Sequence, residues 1–515
     1  MGGNNRQNVA MLASELLNFC QSELLSEEGI HGIFQRHGLK PKTHDVSNYL
    51  FFHAACDNEK VTEGIIQCLL DYFPDAASGA IEDGMTPLYI ACQNKNVTKG
   101  IVARLIDAAP DSVRSVEEDG WTPLHILCDN KHVDEAVATQ IMKLLIEKYP
   151  EVVQRAENDG YLPIFYAGMS KSPEFCRVLL DAYPGSERML HANGALPLHY
   201  ACIKGSLATV EFLYRQYPAA ILHAAALAGH TIGYPIHAAI TGVIQRDDPA
   251  AAFEILQFLL DCDPDQKLIH FQGMSLLHFA CALDDDSTIN AVIDMIKMLF
   301  DAHPEAIEDD EVTSDVHRYH EQVQAFINSE LVYARQAEDR RLMTTPDGNG
   351  RLPLHIALQN NVRLGSIKLL VKGNPSAIRN FDQSGLIPLH IACRHHDSAS
   401  VVEYLVELDT TTLGTVDRDG NTALHHACCG AKYDIIAMLL EDYDAISVSR
   451  QNYQQKLPIE LLWESNDVDR DGLEYVESIF RLLKAYPETV TMKMTKEQAN
   501  AGGSSQSGKK RKFGE

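Results

Sequence analysis

The stretch Asp119–Cys128, DGWTPLHILC, compresses a tight turn, a proline and a His-x-x-Cys spacing into ten residues. Read alone, His125 and Cys128 look like the start of a metal or nucleophile site. The same pattern returns as DGMTPLYIAC from Asp83, NGALPLHYAC from Asn193, SGLIPLHIAC from Ser384 and DGNTALHHAC from Asp419. One explanation has to serve all the copies.

Taking the His125 position as phase, its equivalents are His53, Tyr89, His125, Phe165, His199, His237, His278, His355, His390, His425 and Glu460. They define repeats 1 to 11. Successive steps are 36, 36, 40, 34, 38, 41, 77, 35, 35 and 35 residues. A near-constant period of this size implies a stack in which each unit buries its apolar face only against its neighbours.

Each repeat has one grammar. An Asp-Gly or Asn-Gly turn leads to proline at the first position of a helix, where a missing N–H costs nothing, as at Pro87, Pro123, Pro163, Pro197, Pro235, Pro353, Pro388 and Pro458. A short apolar helix, a polar break and a second helix with apolar residues at helical spacing follow, for example IVARLIDAAP and IMKLLIEKYP. The second helix is predicted to stop at Pro74, Pro110, Pro150, Pro184, Pro218, Pro264, Pro304, Pro375 or Pro487, because the residue before a proline is pushed out of the helical region.

TPLH at Thr122–His125, the small residues after the His slot and the downstream Leu-Leu pair resemble the ankyrin repeat over roughly Tyr49 to Val490. The resemblance implies an all-α solenoid of about eleven helix-turn-helix repeats with short β-hairpin fingers. It also implies a protein-binding role. Threonine fills the slot before the proline only at Thr86, Thr122 and Thr422, while Leu162, Leu196, Leu352, Ile387 and Leu457 stand elsewhere, so the threonine cap is expected to be lost there. The Tyr-Pro exit of the second helix, as in YPEVV, is similar to that of a group of uncharacterised algal ankyrin-repeat proteins.

The chain carries 44 Lys and Arg against 71 Asp and Glu, a net charge of −27 over 515 residues. Such a body repels nucleic acid and anionic lipid, so neither is expected as a direct partner. No apolar run approaches the roughly 20 residues needed to span a bilayer, and MGGNNRQNVAMLASELLNFC lacks the basic flank of a signal peptide. An intracellular, cytoplasmic or nuclear monomer is expected.

Seven of the twelve cysteines, Cys56, Cys92, Cys128, Cys202, Cys281, Cys393 and Cys428, share the phase three residues after the His slot. Equivalent atoms of neighbouring repeats stand ~8–10 Å apart, too far to share a zinc that holds its ligands at roughly 2.0–2.3 Å. Buried single thiols beside a hydrogen-bonded histidine are the expectation, with no metal and no cofactor. The polar segments RHHD (Arg394–Asp397) and HHACC (His425–Cys429) fall in adjacent repeats, but no carboxylate is expected to orient either imidazole. DRDG at Asp417–Gly420 and Asp469–Gly472 lacks the further ligands of a calcium loop. No phosphate-binding loop, nucleophile elbow, zinc-protease or kinase signature occurs, and the chain is expected not to be an enzyme.

Between His278 and His355, residues 309–345 lack a repeat; Val316, Tyr319, Val323, Phe326, Leu331 and Ala334 form a stripe that predicts one amphipathic helix, with a decayed repeat as the alternative. The expected organisation is a helical cap over 1–46, seven repeats over 47–308, the inserted helix, four repeats over 346–494 and a flexible basic tail over 495–515. Lys509, Lys510, Arg511 and Lys512 in that tail resemble a nuclear import signal. The binding surface is expected at the finger residues Glu117, Glu118, Asp119, Glu157 and Asp159 and at the helix-end residues Gln93, Asn94, Lys95, Asp129, Asn130 and Lys131. Its acidity favours another protein with a basic segment.

Overall fold

The computed structural model describes residues 3–41, 49–225, 233–263, 270–271, 274–283, 287–308, 310–441, 448–465 and 472–486. The chain forms two compact units, Met1–Met295 and Ile296–Glu515. The stretch Lys509–Lys512 and the second DRDG lie wholly or partly outside the described residues.

Repeat 3 shows how the sequence builds a unit. Thr122 is extended (φ −95°, ψ 165°), Pro123 opens the helix Pro123–Asp129, and Asp134 caps the second helix, Glu135–Lys148, by accepting from the Val137 N–H at 3.0 Å. Leu124, Leu127 and Cys128 of the first helix and Ile141, Met142 and Leu145 of the second are buried. Each such aliphatic side chain contributes about 1.5–3 kcal/mol relative to exposure. The second helix ends before Pro150, as the proline predicts, but the chain then makes one 3-10 turn over Pro150–Gln154 that buries Val152 and Val153. Pro74–Ser78, Pro110–Arg114, Pro218–Leu222, Pro304–Glu308 and Pro375–Arg379 repeat that turn. Proline at its first position therefore starts one element as it stops another.

In the first unit the first helices of repeats 1 to 6 pack in sequence order in one row and the second helices in another. The N-terminal helices Gly3–Cys20 and Glu27–Arg36 extend the two rows, lying on Leu50–Asp57 and Glu63–Tyr72 respectively. In the second unit Pro353–Gln359, Pro388–His395, Ala423–Cys429 and Pro458–Glu464 form the first row, and Leu364–Gly373, Ala399–Leu408, Tyr433–Glu441 and Leu473–Ala485 the second.

The segment predicted as one helix is in pieces. A short helix, Asp310–Asp315, and a 3-10 turn precede an 18-residue helix, Glu321–Glu338, that buries Val323, Ile327, Leu331 and Ala334 against Leu364–Gly373. Phe326 meets Phe300 with ring centroids 5.8 Å apart.

The fingers are turns closed by backbone bonds, such as Glu117 N to Trp121 O at 3.2 Å and Gly120 N to Glu117 O at 2.9 Å. Some neighbouring fingers are also bonded to each other: Glu118 N donates to Asp83 O and Asn158 N to Asp119 O, both at 3.0 Å. Gly120 has φ +87°, and a Cβ there would lie 2.7 Å from Asn158 Oδ1. The Asp-Gly signal thus reflects both a left-handed backbone and a close neighbour. Among the described residues the only paired strands are His270–Phe271 and Met274–Ser275, antiparallel with His270 opposite Ser275.

Candidate interaction surfaces

The histidine of the opening motif is architecture. His125 Nδ1 accepts from the Thr122 N–H at 3.2 Å, closing the start of its own helix, and its Nε2 donates across the repeat boundary to Tyr161 O at 3.0 Å. His199, His355, His390 and His425 accept in the same way from the Leu196, Leu352, Ile387 and Thr422 N–H groups, at 3.1–3.4 Å. Their Nε2 atoms reach His223 and Gly233, Asn380, Thr415 and Lys456 carbonyls respectively, at 3.0–3.2 Å. An acceptor at Nδ1 and a donor at Nε2 define a neutral imidazole in one tautomer. Burial pushes the pKa of His125, His199, His390 and His425 down to about 4, only partly opposed by the carbonyl bonds. Where threonine is lost, at Leu196, Leu352 and Ile387, the His199, His355 and His390 N–H groups that it would accept donate to the capping residue's own backbone carbonyl at 2.9–3.0 Å, while the histidine ring still accepts the N-cap N–H. Glu460 does the same for Leu457 through its carboxylate, at 2.8 Å.

The phased cysteines are all buried, and all twelve thiols are free. Burial pushes Cys92 up to about 12. Among the described residues no group of three or more His, Cys, Asp and Glu side chains is placed to hold a metal ion.

The RHHD and HHACC region needs a correction. His426 is oriented by a carboxylate: its Nε2 donates to Asp417 Oδ2 at 3.0 Å, and both side chains are buried. Burial raises the Asp417 carboxyl, but hydrogen bonds from His426 and Asn421 outweigh it and hold it well below the usual range. The same carboxylate takes the Asn421 and Asp419 N–H groups of its finger turn, at 2.8 and 2.9 Å. The partner lies nine residues back on the finger, where the residue order hides it. His396 is buried and donates to Val362 O at 2.9 Å, whereas Arg394, His395 and Asp397 are exposed.

Three residues expected on the open binding surface are internal. Asn94 Nδ2 donates to Cys56 O and Asn58 O, both at 2.9 Å, and Asn130 Nδ2 to Cys92 O at 3.1 Å and Gln93 O at 2.9 Å. Each amide thus satisfies the carbonyl end of the preceding repeat's first helix, which has no partner within its own helix. Glu157 is only 7% exposed and accepts from the Asp159 and Tyr161 N–H groups at 2.9 and 2.8 Å. Glu118, Asp119, Asp159, Gln93, Lys95 and Lys131 are exposed, Glu117 and Asp129 half-buried. Lys95 pairs with Glu59 at 2.6 Å, and Glu117 accepts from the Trp121 N–H at 2.9 Å.

Between these acids runs a strip of rings. Trp121 packs against Tyr166 at a tilt of 50° with centroids 4.4 Å apart, Tyr166 lies 5.5 Å from Tyr161, and Tyr161 lies 5.2 Å from Tyr200 and stacks on His191 at 3.8 Å. The Tyr161 and Tyr200 hydroxyls share a 2.8 Å hydrogen bond. Among the described residues the Tyr89 and Tyr166 hydroxyls have no hydrogen-bond partner, although the side chains are over nine-tenths buried. Burial first, then Glu117, Asp119 and Asp129 raise the Tyr89 phenol; burial, Glu157, Asp129 and Asp159 raise that of Tyr166. Both stay protonated. The signal was present in the sequence, since Trp121 and Tyr161 both follow a turn glycine and Tyr166 and Tyr200 both follow the His slot.

No helix among the described residues is long and apolar enough to cross a membrane. No curated protein matches the chain at a significant level. The family model for ankyrin repeats, built as three copies, matches residues 51–147, 97–187, 135–222, 316–412 and 354–452, the fourth match running through the helix Glu321–Glu338. Ankyrin repeats are general protein-interaction modules. With those matches covering more than half of its length, the chain belongs to the ankyrin-repeat family.

Proposed function

We propose that the chain is a monomeric, non-enzymatic interaction scaffold that binds a basic segment of another protein along the finger edge and first helices of repeats 2 to 5. The aromatic strip Trp121, Tyr161, Tyr166 and Tyr200, fringed by Glu118, Asp119, Asp129 and Asp159, is the observation that supports it. An arginine or lysine over such a ring contributes about 0.5–2 kcal/mol, and the acids speed encounter with a cation. Asn94, Asn130 and Glu157 support the surface from inside.

Titrating arginine- and lysine-rich peptides into the protein, with Trp121 fluorescence as readout, tests this reading. Basic peptides should bind, and added salt should weaken them. Equal binding of acidic and basic peptides would contradict it. The cluster Lys509–Lys512 favours a second reading, delivery of the scaffold to the nucleus. Replacing the four residues with alanine in a fluorescent fusion should then shift the protein to the cytoplasm, and unchanged distribution would refute it.

A further inference from the structure

One part of the first unit gathers positive charge. A cavity of about 510 Å³ is lined by Lys131, Lys171, Lys204 and Arg246, with Ser170, Ser172 and Ser206 between them and no acidic residue. The four cations come from four successive repeats, on a chain whose net charge is −27.

Two of the four are held from behind. Lys171 is only 5% exposed; its ammonium donates to Asn130 O and stands 5.7 Å from the Phe175 ring centroid, and no carboxylate pairs with it among the described residues. Arg246 donates to Gly205 O at 2.8 Å and Cys202 O at 2.9 Å, and its Nε is buried without a partner. Those carbonyls end the first helices of repeats 3 and 5, so helix capping is the plain explanation for both side chains. It does not account for their charge. Asn58, Asn94 and Asn130 cap the corresponding carbonyls with neutral amides. A buried ammonium is disfavoured relative to a neutral amide unless an anion approaches it.

The other two cations are free. Lys131 and Lys204 are exposed and, among the described residues, have no carboxylate or hydrogen-bond partner. The helix Leu207–Gln216 starts at Ser206 on the cavity wall with no acidic residue in its first turn, which adds a positive dipole end. The acids that bear on these side chains lie outside the lining: Glu135 and Asp129 act on Lys171 and Asp248 on Arg246, with Glu135 accepting from the Ser172 N–H at the cavity wall at 3.2 Å and Asp248 from the Ala250 N–H at 3.0 Å.

We propose that this cavity binds a small phosphate-bearing polyanion, with Lys171 and Arg246 as a fixed field and Lys131 and Lys204 closing on the phosphoryl oxygens. Ammonium groups and serine hydroxyls suit phosphate oxygens, and four cations suit more than one phosphoryl group. A nucleic acid or bilayer would lay further negative charge along the acidic surface around the cavity, whereas a small anion presents only what the pocket neutralises.

Calorimetric titration of pyrophosphate into the full chain at fixed ionic strength tests the proposal. The wild type should bind, and Lys131→Gln/Lys204→Gln should weaken binding about tenfold or more without changing the melting temperature of the free protein. Lys171→Asn, which can retain the carbonyl cap, should fold and bind more weakly too. Phosphatidylcholine vesicles carrying a phosphoinositide should not retain the protein. No pyrophosphate binding, equal binding by the double variant, or binding to vesicles without binding to pyrophosphate would overturn it.

Discussion

The two units use one repeat grammar but build their second rows differently. In Met1–Met295 the second helices of repeats 1 to 6 pack directly on one another. In Ile296–Glu515 the helix Leu364–Gly373 receives the extra helix Glu321–Glu338, with Ala337 O only 2.6 Å from where a Cβ on Gly373 would stand. The histidine struts are common to both units, whereas the extra helix packed on Leu364–Gly373 belongs to one. Repeat contacts are short-range, so a change confined to one unit should be felt there and a change to the struts should be felt in both.

The two tryptophans separate the responses, since Trp121 lies in the first unit and Trp463 in the second. The largest effect is expected from acid. An unfolded histidine takes up its proton near pH 6.5, while His125, His199, His390 and His425 resist until about 4 when folded. Their contribution is therefore complete above about pH 6.5 and lost as pH falls toward 4, because the unfolded state binds more protons in that window. Denaturant midpoints followed through single-tryptophan variants should fall in both units; a fall in one alone would break the comparison.

Next in size, Gly373→Ala should destabilise the second unit by about 1–3 kcal/mol through overpacking, moving the Trp463 transition and not that of Trp121. Asn130→Ala should have the converse selectivity. It leaves Cys92 O and Gln93 O without their side-chain donor, at a cost of about 1–3 kcal/mol in the first unit. The smallest stability effect is expected for Glu118→Ser/Asp119→Ser, within about 0.5 kcal/mol for exposed residues, while binding of basic peptides weakens. A large loss of stability there would mean that these acids hold the fingers rather than a ligand.

The repeat count, the proline starts and the burial of the phased cysteines were legible because each is a local or strictly periodic signal. The struts were not, since His125 finds its acceptor 36 residues away on the next finger. Asn94 and Asn130 read as open polar residues for the same reason: their acceptors lie 36–38 residues back. The inserted segment showed its apolar stripe, but not the break before Glu321. Lys131, Lys171, Lys204 and Arg246 never form a run, so only stacking brings them to one cavity.

The central claim is that the repeated histidine is a neutral strut and not a reactive group. Exchange of the imidazole carbon-bound hydrogen, followed peptide by peptide by mass spectrometry across pH, reports each histidine's own titration. His125, His199, His390 and His425 should titrate only below about pH 5, with slow exchange, while exposed His395 exchanges faster. Titration of the four near pH 6.5 with rapid exchange would show them open to solvent and contradict the account.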